Sequence, residues 1–128
     1  MRVFKTKFFT TFARKSEIDD LDLCEAVKRA NTGLVDADLG GGVIKQRVAR
    51  KGQGKSGGFR TIILFRSGDR AIFVDGYAKK DMANISDDDL RDYRQLAKVL
   101  LSYKQSDLGK IVASGSLVEV QCNEKTVP

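Results

Sequence analysis

Two apolar runs joined by a short turn constrain the fold of this chain more than any other feature. Thr61-Ile62-Ile63-Leu64-Phe65 and Ala71-Ile72-Phe73-Val74 flank Arg66-Ser67-Gly68-Asp69-Arg70. Gly68 can take positive φ, so the stretch reads as a hairpin turning at Ser67-Gly68-Asp69. Neither run alternates between apolar and polar residues. A strand that is apolar at nearly every position needs cover on both faces. The hairpin therefore belongs at the centre of a sheet.

The rest of the chain reads as the strands and helices around it. Arg2 to Lys5 forms an opening strand, and Lys7 to Arg14 a short helix burying Phe8, Phe9 and Phe12 beside Ala13. A second helix starts near Asp19, with Asp19, Asp20 and Asp22 favoured by the dipole of its first turn. Leu23, Ala26, Val27 and Ala30 are its buried stripe, and Gly33 is a left-handed cap. Val35 to Leu39 and Val43 to Ala49 are strand-like pieces around Gly40-Gly41-Gly42. In the second, Val43, Lys45, Arg47 and Ala49 share one face; Ile44, Gln46, Val48 and Arg50 share the other. Ser86 and Asp89 form a capping box before a helix striped by Leu90, Tyr93, Leu96, Ala97, Leu100 and Leu101. Ser106 opens another helix, carrying Leu108, Ile111 and Val112 and ending at Gly115. Leu117 to Val120 is a last strand, and the closing residues are expected to fray. The order β-α-α-β-β-β-β-α-α-β over residues 1–128 describes one α+β domain. Its sheet is small and mostly antiparallel, with two N-terminal helices and the C-terminal helices packed on it.

Charge is distributed unevenly along this order. Between Asp38 and Asp69 there is no acidic residue, while Lys45, Arg47, Arg50, Lys51, Lys55, Arg60 and Arg66 all lie there. Those seven positive charges exceed the net +6 of the whole chain, so the remainder sums to −1. A local patch of this kind is what a polyanion-binding face looks like. The loop Arg50 to Gly58 reads as a flexible basic arm, in which Arg50, Lys51 and Lys55 supply charge and the glycines let backbone N–H groups approach phosphate oxygens. It is not a triphosphate-binding loop. The pattern GxxxxGK[ST] requires glycine where Ala49 stands, and a strand follows where a helix should.

Other chemistry is excluded by composition. There is no histidine, which removes the commonest general base and the commonest metal ligand together. No metal site and no cofactor are expected. Cys24 and Cys122 are far apart and outside any CxxC pair; Cys24 reads as a small core residue on a helix, and a reducing cytoplasm as the compartment. No apolar run has the length of a membrane helix. The basic, acid-free first sixteen residues also fit a transit peptide, but Phe8, Phe9 and Phe12 are nearly half of the seven Phe and read better as core.

A candidate site follows from the hairpin. Asp75-Gly76-Tyr77-Ala78-Lys79-Lys80-Asp81 stands where the return strand runs out, and Arg60 stands at the start of the other strand, pairing near Gly76. The arm's cations, Arg60, Tyr77 and Lys79 would converge at one end of the sheet. Cations and a phenol without histidine suit RNA cleavage. There the 2′-OH supplies the nucleophile, and the protein bends the strand and stabilises charge.

At these residues the chain resembles the RelE-like toxins of toxin–antitoxin pairs, closest to their HigB branch. The matching segments are Phe4-Lys5-Thr6-Lys7 with Phe12-Ala13-Arg14-Lys15, and Asp36-Ala37-Asp38-Leu39-Gly40-Gly41-Gly42-Val43-Ile44-Lys45-Gln46. Gly54-Lys55-Ser56-Gly57-Gly58-Phe59-Arg60-Thr61-Ile62 and Gly76-Tyr77-Ala78-Lys79 complete them. The resemblance implies a RelE-like α+β fold and an mRNA endoribonuclease acting on the ribosome. It also implies an antitoxin partner, often a helix-turn-helix protein. It assigns Arg60 to the scissile phosphate, Arg47, Arg50, Lys51 and Lys55 to gripping mRNA and ribosomal RNA, and Tyr77, Lys79 and Lys80 to orientation and proton transfer; Lys45 and Lys80 are further RNA-binding candidates. Asp75 departs from the pattern, standing where an aromatic is expected. It reads as a base for the 2′-OH, as a structural partner of a cation, or as a mark of attenuated activity. Two alternatives stay open: a non-catalytic RNA- or ribosome-binding module of the same fold, and a basic face that docks an acidic protein.

Overall fold

The computed structural model describes residues 1–50, 54–78 and 85–122, with backbone alone at 50 and 54–57. The observed elements are β1 (Arg2–Thr6), α1 (Lys7–Lys15), α2 (Asp20–Asn31), β2 (Ala37–Gly40), β3 (Val43–Arg50), β4 (Gly54–Arg66), β5 (Arg70–Ala78), α3 (Asp87–Leu100), α4 (Gln105–Ala113) and β6 (Leu117–Val120). The six strands form one sheet in the order β2-β3-β4-β5-β1-β6. Every pairing is antiparallel except β1 with β5, so the sheet is mixed.

The apolar hairpin lies at the centre, and each of its faces has its own core. On one face Phe59, Ile63, Ala71 and Phe73 pack against Phe9 and Ala13 of α1 and Leu23, Ala26, Val27 and Ala30 of α2. On the other, Ile62, Leu64, Ile72 and Val74 pack against Ala97 of α3 and Leu108 of α4. Phe8 is 67% exposed and Leu96 39%, so neither belongs to the core expected for it. Each sits about 100° around its helix from a buried neighbour, Phe9 and Ala97 respectively.

Helix ends follow from local chemistry. Asp19 and Asp22 form a reciprocal capping box on α2, and the Ser86 hydroxyl accepts the Asp89 amide at the start of α3. Helix α2 ends in a Schellman motif, with Leu34 N–H on Arg29 O and Gly33 at φ +95°. The C-terminus of α3 is held by the hairpin turn. Arg70, 1% exposed, donates to Leu100 O and Asp69, and Arg66 donates to Leu101 O and Asp69. Two guanidiniums thus meet the negative end of the helix dipole. The glycine triplet is also built in: Gly40, Gly41 and Gly42 all have positive φ, and Arg94 of α3 lies against the first two while donating to Leu39 O.

Two expectations need correction. Gly54 to Gly58 are the first residues of β4, paired to β3, and not part of a loop. Gly58 is needed because a Cβ there would lie 2.2 Å from Val48 O. Cys24 and Cys122 form a disulfide that ties α2 to the chain just after β6. Their separation of 98 residues concealed a pairing that only the tertiary fold creates, bringing the two Cα atoms to 5.6 Å.

Candidate nucleic-acid interface

Arg47, Arg60 and Tyr77 stand in one row across β3, β4 and β5. Arg47 pairs with Arg60, and Arg60 with Tyr77; successive strands lie roughly 5 Å apart. Arg60 thus pairs near Gly76, as expected, with Gly76 itself facing Thr61. Alternation from Val43 puts Lys45 and Arg47 on the α3–α4 face, with Lys45 beside Ile62.

Tyr77 reaches that face through a bulge. Ile62 pairs with Asp75 but Ile63 with Phe73, leaving Val74 as an extra residue. Without it, Tyr77 would share the face of Phe73 and point towards α1. With it, Asp75 and Tyr77 both join Arg60, and Gly76 turns to the other side, where a Cβ would lie 2.3 Å from the Phe12 ring. Bulges of this kind re-aim side chains beside functional sites.

The row is poorly satisfied internally. Nε of Arg47, Nη1 of Arg60 and the Tyr77 hydroxyl are buried without a hydrogen-bond partner among the described residues. An unpaired buried donor costs about 1–3 kcal/mol, and here three occur side by side on adjacent strands. The Tyr77 phenol is pushed up to about 12 by burial and by the Asp75 charge, against the opposing charge of Arg60. It therefore stays protonated at neutral pH.

Around the row, acids hold particular members. Asp36 accepts the Arg47 amide at 2.6 Å and lies 3.3 Å from its guanidinium, with Arg29 beyond. Burial opposes its ionisation, but these bonds and charges outweigh that and hold its carboxyl below the ordinary value. Asp75 accepts the Gly76 amide on one oxygen at 2.8 Å and the Tyr93 hydroxyl of α3 on the other. Tyr93 is raised above the ordinary phenol value, by burial first and then by that bond and the nearby carboxylates.

The acid-free segment is thus compensated from just outside. Asp36 serves Arg47, and Asp69 serves Arg66. Arg66 also lies six residues along β4 from Arg60, roughly 20 Å away, so it belongs to the opposite end of the sheet. Arg60, Tyr77, Asp75, Arg47 and Lys45 are brought together. The side chains of Arg50 and Lys55, and Lys51, Lys79 and Lys80 altogether, lie outside the described residues. Arg29, Asp36 and Tyr93 were not expected at the site. Tyr93 carried one signal, being the only residue of its apolar stripe with a hydroxyl that needs a partner when buried.

A search of curated proteins returns no match. A family model described as "RelE toxin of RelE / RelB toxin-antitoxin system" matches residues 1–120. That span takes in every strand and helix among the described residues, the cationic row and the bulge that aims Tyr77. By this match the chain belongs to the RelE toxin family of toxin–antitoxin systems.

Proposed function

We propose that the protein is the toxin of a toxin–antitoxin pair and acts as a ribosome-dependent mRNA endoribonuclease of the HigB type. The observation that carries this reading is the row of Arg47, Arg60 and Tyr77, in which one Arg47 nitrogen, one Arg60 nitrogen and the Tyr77 hydroxyl are buried without a hydrogen-bond partner among the described residues, beside a carboxylate. Donors of this kind fit a phosphodiester whose charge grows during cleavage.

In this mechanism the Asp75 carboxylate takes the proton of the 2′-OH, and O2′ forms a bond to phosphorus. Arg60, supported by Arg47, stabilises the pentacoordinate phosphate. The P–O5′ bond breaks, and the leaving O5′ takes the Tyr77 proton, giving a 2′,3′-cyclic phosphate and a 5′-OH. The raised value of Tyr77 suits an acid that is protonated before transfer. Lys45, with Arg50, Lys51, Lys55, Lys79 and Lys80, supplies charge along mRNA and ribosomal RNA. A neighbouring helix-turn-helix antitoxin would cover the same basic face.

Inducible expression of wild type and Arg60→Ala in bacteria, with transcripts mapped, tests the reading. Growth arrest and codon-phased cuts are expected only with wild type, and purified Arg60→Ala should cleave on the order of 10²–10³-fold more slowly. Equal growth of both strains with intact transcripts would overturn it, and ribosome binding without cuts would favour the non-catalytic module.

A further inference from the structure

Asp75 lies beside the cationic row on the α3 face, and two hydrogen bonds from different elements fix its plane. Gly76 N–H holds one oxygen from within the strand. Tyr93 O–H holds the other from α3. A carboxylate held only by the neighbouring backbone would be free to swing onto the Arg60 guanidinium, one strand away, and neutralise it. Tyr93 and Tyr77 both pack against the core under α3, so the helix delivers its phenol to this place by ordinary apolar burial. The helix is in turn fixed by Ser86 at its start and by Arg66 and Arg70 at its end.

We propose that Tyr93 is a positioning residue, whose hydroxyl aims the Asp75 carboxylate at the substrate's 2′-OH and keeps it off Arg60. This rests on the endoribonuclease reading above. Tyr93→Phe removes only the hydroxyl, so the apolar contacts of the ring are retained. Single-turnover cleavage on programmed ribosomes should fall on the order of 10- to 100-fold in kcat with KM unchanged. The same substitution added to Asp75→Asn should cause no further loss, because the group it positions is gone. A packing role would instead lower activity alike in both backgrounds.

A Tyr93→Phe protein cleaving at the wild-type rate, while Arg60→Ala is inert, would overturn this inference alone. Equal cutting by wild type and Arg60→Ala would remove the endoribonuclease reading and this inference together. If Tyr93→Phe does not fold, absorbance titration decides. Of the three tyrosines, Tyr77→Phe leaves Tyr93 and Tyr103, and adding Asp75→Asn should let one of these ionise at lower pH. An unchanged titration would overturn the proposal.

Discussion

At the scale of single residues, the site sets stability against function. Tyr77 holds a buried hydroxyl without a partner among the described residues, and such a group costs about 1–3 kcal/mol. Tyr77→Phe should therefore raise the melting temperature by a few degrees while slowing cleavage at least about 10²-fold. Paired melting curves and single-turnover rates check both halves, and a variant both less stable and equally active would contradict them. Arg60 and Tyr77 were legible in the sequence, because a hairpin with one turn leaves little freedom in which residues end up side by side. Tyr93 was not, because helical spacing places an aromatic on an apolar stripe without saying what its hydroxyl meets.

At the scale of elements, Gln46 does more than its place in a strand suggests. It is fully buried, donates to Ala26 O and Leu34 O, and accepts the Asp36 amide. It thereby fastens the middle of α2 and the approach to β2 onto β3. Asp36, placed this way, then orders Arg47. Gln46→Leu should cost about 2–4 kcal/mol, since one buried and two partly buried backbone groups lose their partner at once. It should also weaken RNA binding through Arg47. Denaturant unfolding and binding titrations would show it, and a neutral effect on both would refute the linkage. The alternation of β3 was readable from residues 43 to 49, but the register shift near Arg50 and the bulge at Val74 were not. Bulges depend on how neighbouring strands fit, which period-two patterning does not encode.

At the scale of the whole molecule, one covalent bond spans most of the chain. The Cys24–Cys122 bond closes a loop of 98 residues, for which the chain-entropy account gives about 4–5 kcal/mol, and less where the reduced chain keeps structure. Reductant should lower the melting temperature by on the order of 10 °C, and a Cys24→Ser/Cys122→Ser variant should melt there with or without reductant. Cleavage should persist, because the bond lies on the α2 side of the sheet while the cationic row faces α3. Coincident melts of oxidised and reduced wild type would count against the bond. Electrostatics at this scale is equally testable: log affinity for RNA should fall by about 0.7 per phosphate contact for each tenfold rise in salt.

What the sequence determined by itself is the element order, the central hairpin, the α+β class and the end of the sheet where Arg60 and Tyr77 stand. These follow from apolar periodicity, caps and turn residues, which act over a few positions. Tertiary structure alone decided which cations Asp36 and Asp69 neutralise. It also decided that Tyr77 faces α3, that Tyr93 meets Asp75, and that two distant cysteines touch. Each of those depends on strand register or on helix placement across the sheet, and neither is set until both layers pack.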